Sequence, residues 1–387
     1  MSAPEPVRLA KDLSRAIRQG HPWVFRDALD RPPRLDDGTL VDVRSPDGRS
    51  VATGFWDASS AIAIRILQAG PLADPRAEVD ARIRAALTLR RARLDPTRTS
   101  AFRWIHGEGD RLPGIHVDLY GDVAVVRFDG SGAPAFYGDL GARLAASARP
   151  LELREVKDRQ SGERLHGRGA PAKFEVIENG LKYEVSPGAA GKGGLFLDQR
   201  ENRELVGKMA AGQSVLNLFG YTGGFSLAAA RGGARSTDTV DSARPAIAAA
   251  RRNFERNGLP AAPSCFHAAD AFEFLDEALQ ERRQWDLVVS DPPSFAPSQG
   301  AREQARRIYA RLHRLASSAT RKGGVLCAAS CSSHIGREEF VRSVEEGARA
   351  AGRTFTITEL RGAGFDHPVL PGFPEGDYLK FAVGRVR

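Results

Sequence analysis

The chain has 387 residues, 42% hydrophobic and 27% charged, with 56 Lys plus Arg against 48 Asp plus Glu and a net charge of +8. At roughly 100–200 residues per domain this is enough for two or three domains with real cores, and the composition excludes a disordered or collagen-like chain. No run of about 18 apolar residues marks a membrane span, and the opening MSAPEPVRLAKDLSRAIRQG has no apolar signal-peptide core. Cys265, Cys327 and Cys331 are too few and too odd in number for a disulfide framework. A cytoplasmic protein is the expectation.

The basic residues are 48 Arg and only 8 Lys. A GC-rich genome produces that skew without any selection for a ligand. Residues 1–75 are neutral, so the excess lies in 76–185 (19 basic, 16 acidic) and 186–387 (27 basic, 22 acidic). The densest run is Arg82, Arg84, Arg90, Arg91, Arg93, Arg98 and Arg103, opposed only by Asp95. It fits a stripe that tracks phosphates or the solvated face of a helix.

In chain order, residues 38–68 read as a small β-barrel unit, with short β-rich runs punctuated by Pro-Asp-Gly at 46–48. A helix is predicted over 76–93. Residues 116–129 read as a hairpin, 134–148 as a helix, and 151–159 and 173–186 as strands. This strand-strand-helix-strand-strand order predicts an α+β module. The Gly-rich stretch 188–194 marks a boundary. Lys192 is followed by Gly193 rather than Ser or Thr, so it reads as a hinge or lid and not a phosphate loop. From 214 onward apolar runs (SVLNLF, TDTVD, APSCFHAAD, WDLVVSDPP, GVLCAASC) alternate with helical stretches at 224–231, 243–257, 270–282, 301–318 and 337–351. That alternation predicts a doubly wound, mostly parallel sheet. The expected domains are 1–72, 73–187 and 188–387.

The candidate residues lie at the strand ends. Strand 214–219 runs into Gly220-Tyr221-Thr222-Gly223-Gly224 and a helix, which lets a ligand approach the backbone. The glycine spacing is not that of dinucleotide enzymes. Asp241 ends the second strand, where an acid suits a ribose diol; it also suits a helix N-cap, with Ser242 able to take the capping role. Asp270 fits either an acceptor for an adenine amine or an N-cap. Asp291-Pro292-Pro293 is the sharpest signal, because two prolines after a buried strand force a rigid turn at its carboxyl end. Open α/β sheets bind ligands there. Cys331 ends the fifth strand, opposite Asp291 in the usual sheet order, which makes it a nucleophile candidate rather than a packing residue. Cys327 and Cys265 read as packing. No metal site is expected.

The segments NLFGYTGGFSLAAA, VDSARPAIAAARRNFERNG, DAFEFL, DLVVSDPPSFA and ASCSSH resemble the successive motifs of class I S-adenosylmethionine-dependent methyltransferases. HPWVFRDAL, GEGDRLPGIHVDLYG, GLFLDQRENR and HPVLPGFPEGDYLKFAV extend the resemblance over nearly the whole chain. More narrowly, it resembles the bacterial family that methylates carbon 5 of a cytosine in 23S ribosomal RNA. The resemblance implies a PUA-like RNA-binding barrel, an α+β middle domain and a Rossmann-like catalytic domain. It implies S-adenosyl-L-methionine as cofactor, large-subunit ribosomal RNA as partner and no membrane partner, with a homodimer left open. Phe219, Gly220 and Thr222 would line the methionine end of the cofactor, beside Asn217, with Gln199 and Arg200 helping to hold it. Asp241 and Ser242 would meet the ribose, and Asp270 and Ala271 the adenine. Cys331 and Asp291 would face the target base, Cys331 as the attacking thiolate. Ser294 follows Pro293, so the second cysteine found there in another group of RNA cytosine methyltransferases is missing. Amino-group methylation of a purine, and an RNA-binding assembly factor without turnover, remain as alternatives. A nicotinamide oxidoreductase is disfavoured by the missing glycine fingerprint.

Overall fold

A computed structural model describes residues 3–187, 195–259, 264–296 and 299–387. The Gly-rich stretch 188–194, expected as a hinge or lid, lies outside them. The chain separates into two compact units. One is Met1–Val176 with Ser186–Gly193 and Phe365–Gly376; the other is Ile177–Val185, Gly194–Gly364 and Asp377–Arg387.

In the first unit, β1 (Glu5–Arg8), β2 (Trp23–Phe25), β3 (Leu40–Arg44), β4 (Ser50–Trp56) and β5 (Ile62–Ala69) form one sheet in the order β1-β3-β4-β5-β2. Val41 and Val43 point into the core while their neighbours face outward, the period-2 signature of a half-buried strand. The Pro-Asp-Gly signal is the β3–β4 turn: Gly48 sits at φ +87° and donates to the Ser45 carbonyl.

A second sheet combines β6 (Ala101–His106), β7 (Ile115–Tyr120), β8 (Val123–Phe128), β9 (Glu155–Asp158) and β10 (Arg164–Gly167), in the order β10-β9-β8-β7-β6. Helix Pro75–Arg91 packs here through Val79, Ile83, Ala86 and Leu87, an apolar stripe at helical spacing. Asp74 caps it by accepting from the Arg76 and Ala77 N–H groups, with Pro75 in the first turn. β6 and β10 add to the expected strand order. β6 was hidden because Arg103 and His106 interrupt its apolar pattern. The strand expected over 151–159 shortens to β9. The stretch 173–186 is a hairpin of its own, β11 (Phe174–Glu178) with β12 (Leu181–Val185). From Ile177 onward it groups with the second unit, where Glu184 binds Arg252 and Arg256. Local pattern shows a hairpin but not which core receives it.

The arginine run is not a free phosphate stripe. Arg90 is fully buried and holds both oxygens of Asp110. Arg103 pairs with Asp118 at 2.5 Å, Arg82 binds Glu78 and two backbone carbonyls, and Arg91 binds the Ala148 and Arg149 carbonyls. Arg93 stacks on the Phe365 ring. Most of the run staples the unit internally.

The second unit carries β13 (Ser214–Leu218), β14 (Ser236–Asp241), β15 (Ser264–Ala268), β16 (Trp285–Ser290), β17 (Thr320–Ser330), β18 (Phe355–Arg361) and β19 (Lys380–Val386). Their order is β15-β14-β13-β16-β17-β19-β18. The first five are parallel; β19 runs antiparallel to β17 and β18. Leu216, Leu218, Val288 and Leu326 face one helical layer, and Val215, Val289 and Cys327 the other. Both faces are covered, which is why these strands read as continuous apolar runs. Helices Gly224–Arg231, Arg244–Arg256, Ala271–Gln280, Arg302–Ala319 and Arg337–Ala350 occupy the expected intervals. This is a doubly wound α/β sheet, and it brings the carboxyl ends of β13, β14, β16 and β17 to one edge. Among the described residues no helix is long and apolar enough to cross a membrane.

Candidate active site

The turn after β13 holds two non-glycine residues in the left-handed region, Phe219 (φ 55°) and Tyr221 (φ 48°), followed by Gly223 (φ 81°). Such conformations cost about 1–3 kcal/mol each and concentrate at functional sites. A Cβ on Gly220 would lie 2.7 Å from Thr239 Cγ2 and 3.0 Å from Asn217 Nδ2, so the turn needs glycine there. Asn217 is buried under the turn, its Nδ2 donating to Ser226 Oγ at 3.0 Å while its Oδ1 has no partner among the described residues. Thr222 is buried, and its carbonyl accepts from Asn253.

Asp241 ties two loops together. Its Oδ2 accepts from the Tyr221 N–H at 2.9 Å and its Oδ1 from the Ala243 N–H at 2.8 Å. The cap position of the following helix is Ala243, with no side-chain bond, so neither Asp241 nor Ser242 is its cap. Ser242 is exposed. Asp270 does cap its helix: one oxygen, Oδ1, takes the N–H groups of Phe272 and Glu273, and the residue is exposed. Ala271 beside it is buried.

At the end of β16, Asp291 accepts from Gln199 Nε2 at 3.0 Å. Gln199 is itself fixed through Asn202, which donates to its Oε1 at 2.7 Å. Burial, then the negative charge of Asp198, push the Asp291 carboxyl up to about 7; Arg203 and the Gln199 bond oppose them. Asp198 is held by Tyr378 Oη at 2.6 Å. Arg200, expected beside Gln199, is drawn inward with its guanidinium 3.6 Å from Glu201. Arg203 is a cation that acts on Asp291, clamped by both Glu178 oxygens at 2.6 and 2.7 Å.

Cys331 follows β17, next to β16 in the sheet. Its sulfur lies 4.0 Å from the Pro292 carbonyl oxygen, one residue from Asp291. It is half-buried, and burial plus the charges of Asp291 and Asp198 raise its thiol to about 11. The flanking serines are tied down, Ser330 to Tyr309 at 2.9 Å and Ser332 to the Ala296 carbonyl at 3.0 Å. Cys327 is buried in the strand, as expected. Cys265, also expected to pack, is exposed on the edge strand with ligand atoms of Asp238 and His267 within 4.8 Å. The Asp238 carboxylate is already taken by Trp285 and His267, each at 2.8 Å.

The arrangement suits an adenosine-bearing cofactor. The Gly220 turn exposes backbone, and acids stand at the ends of β14 and β15, where a ribose diol and an adenine amine need acceptors. Residues 133–374 match the family model described as S-adenosylmethionine-dependent methyltransferase, and residues 7–69 a PUA-like domain. The chain belongs to the S-adenosylmethionine-dependent methyltransferase family. A Shewanella denitrificans relative, named ribosomal RNA large subunit methyltransferase I, is 33% identical, with 98% of this chain and 99% of the relative covered. One from Deinococcus radiodurans, named ribosomal RNA large subunit methyltransferase, is 34% identical, with 97% and 95% covered. A Streptococcus mutans structure provisionally assigned as a SAM-dependent methyltransferase matches the fold with a TM-score of 0.84 at 24% identity, covering 98% of this chain and 100% of that one. A methyltransferase structure solved with SAH, also provisionally assigned, matches at a TM-score of 0.84 and 25% identity, covering 99% and 100%. The methyltransferase is thus an enzyme of the S-adenosylmethionine-dependent class I type, with S-adenosylmethionine as its cofactor.

Sequence reading missed Asp198, Arg203, Glu178, Tyr309, Tyr378 and Lys380. Tyr378 and Lys380 lie in the tail segment HPVLPGFPEGDYLKFAV, where nothing in the local sequence assigns them a role. Nothing local marks Glu178, 25 residues from Arg203, as its partner.

Proposed function

We propose that this methyltransferase forms 5-methylcytosine in large-subunit ribosomal RNA through a covalent adduct on Cys331. The observation that carries the reading is the placement of a thiol at the end of β17 beside the Asp291 turn of β16. The names of the relatives supply the RNA.

Carbon 5 of cytosine is a poor nucleophile. Attack of the Cys331 thiolate on carbon 6 forms a carbon–sulfur bond and moves the ring electron pair toward carbon 5, which can then accept a methyl group. Asp291, with its carboxyl raised to about 7, carries a proton in a large fraction of molecules near neutrality. That proton is donated in a hydrogen bond to ring nitrogen 3 as negative charge builds there. Gln199 fixes the carboxyl's orientation. S-adenosylmethionine, when bound, supplies an electrophilic methyl group on a sulfonium. A base, water in the simplest case, then takes the carbon-5 proton, and the bond to Cys331 breaks to return the thiolate. Phe219, Gly220, Thr222 and Asn217 serve the methionine end of the cofactor, with Gln199 and Arg200 closing on it. Asp241 and Ser242 serve the ribose, and Asp270 and Ala271 the adenine. The target cytosine must leave its stack, which is cheapest in an unpaired loop. The neutral PUA-like segment recognises RNA by shape and hydrogen bonds rather than by bulk charge.

The test is incubation with large-subunit ribosomal RNA and labelled cofactor, followed by nucleoside mass mapping. Label in 5-methylcytosine is expected. Label in a methylated guanine or adenine would overturn the carbon-5 reading, and no label would overturn the RNA substrate.

A further inference from the structure

The covalent scheme needs a thiolate, yet the nearest charges oppose one. Burial, Asp291 and Asp198 all favour the neutral thiol of Cys331, and the cation that opposes them is Lys380. Lys380 is 1% exposed, an unusual state for an ammonium. It lies on β19 directly opposite Ser330, because β19 pairs antiparallel with β17. Its Nζ donates to the carbonyl of Ser332 and, at 2.8 Å, to that of Tyr378. The side chain therefore starts opposite the residue before Cys331 and ends on the residue after it. No carboxylate lies within ion-pair distance of this ammonium among the described residues. Carbonyls alone do not balance a buried charge, which usually demands an ionic partner.

We propose that Lys380 is a positioning residue for Cys331: its buried ammonium holds the Ser330–Ser332 turn by the Ser332 carbonyl and is the positive charge against which the Cys331 thiolate forms. Asp377, the largest charge favouring the ammonium, is itself paired with Arg337, and the next is Cys331, whose thiolate would complete the ionic surroundings of Lys380. The thiol proton leaves to solvent, and no electron donor or acceptor is involved. Burial lowers the ammonium to about 8, so it is still charged at neutral pH. The groups facing the pair are Asp377, Glu339 and Arg337 around Lys380, and Asp291, Asp198 and Tyr309 around Cys331. The proposal rests on Cys331 being the nucleophile, but its test does not involve methyl transfer.

The experiment follows iodoacetamide alkylation of Cys331 against pH, in the full chain carrying Cys265→Ser, without RNA or cofactor, read by peptide mass. In Lys380→Met and Lys380→Gln the rate at pH 7 is expected to fall about tenfold, the equivalent of one pKa unit. Lys380→Arg should stay near the parent rate. The ratio of parent to neutral variant should shrink toward one as pH passes 8, where Lys380 loses its own charge. A purely structural role would not produce that convergence. Lys380→Gln retains a donor for the Ser332 carbonyl, so it separates charge from turn-holding. Equal rates at pH 7 in the parent and both neutral variants would overturn the proposal. So would loss of folding in both, because the ammonium would then serve the core rather than the thiol. Methylation surviving in Cys331→Ala would instead overturn the covalent scheme and leave the alkylation result standing.

Discussion

Arg90 in the first unit and Lys380 in the second are both cations with almost no exposed surface, at 0% and 1%. They are held in opposite ways. Arg90 meets both oxygens of Asp110 at 2.6 and 2.8 Å and the Asp366 carbonyl at 2.6 Å. Among the described residues Lys380 hydrogen-bonds to carbonyls alone, while Asp291 feels the like charge of Asp198. Buried charge in the first unit is balanced on the spot. At the strand ends of the second unit it is left unbalanced, and unbalanced groups are those whose protonation a substrate can change. A basic composition therefore says little by itself. Much of the arginine excess is internal stapling, and the reactive edge depends on a few groups in mismatched surroundings.

The contrast can be broken at its reactive end first. Cys331→Ala is expected to lower methyl incorporation by about a thousandfold or more. Its affinity for SAH, followed by calorimetry, should be unchanged. At the balanced end, Arg90→Ala leaves Asp110 buried without its partner. Chemical denaturation should show a loss of about 3–5 kcal/mol, the usual cost of breaking a buried pair on one side.

Asp291→Asn sharpens the comparison through pH. It should reduce methyl incorporation about a hundredfold, because an amide N–H is far less acidic than the carboxyl and cannot share its proton with ring nitrogen 3 as charge builds there. Its stability effect has the opposite sign. The native carboxyl is raised from 3.8 to about 7, so between these values the folded state binds more protons than the unfolded one. Parent stability therefore falls as pH rises through that window, whereas the Asn variant lacks this loss. Relative to the parent, the variant should gain on the order of 4 kcal/mol at pH 8 and nothing from this source at pH 3. A parallel pair of denaturation curves would remove the unbalanced carboxylate from the account. The smallest effect is expected at Asp270→Ala. Loss of the cap should cost about 1 kcal/mol in stability and also weaken SAH binding. Unchanged SAH affinity would leave Asp270 a cap alone.

Parts of this site are legible in the chain because their causes are local. Asp291-Pro292-Pro293 after an apolar run can hardly be anything but a strand end and a turn. The Gly220 turn shows itself because Gly220, Gly223 and Gly224 directly follow an apolar run. Asp270 had two readings, and the capping bonds realise one of them. Other parts were hidden or misread. Arg203 stayed hidden beside Arg200, because its reach to Glu178 and its effect on Asp291 depend on the fold and not on the local pattern. β18 was hidden because this antiparallel edge strand is mostly exposed and carries no apolar run.

By itself, then, the sequence determined the alternation of strands and helices, the positions of the strand ends and the residue types standing there. Apolar periodicity, proline and glycine act over a few residues. Only the tertiary structure decided which charges meet. Asp198 reaches Asp291, 93 positions along the sequence, because its segment ends at the edge of the sheet. Lys380 reaches Cys331 because the last strand turns back antiparallel beside β17. Those encounters set the protonation of the reactive groups, since burial and the sign of the nearest charge are properties of the assembled fold.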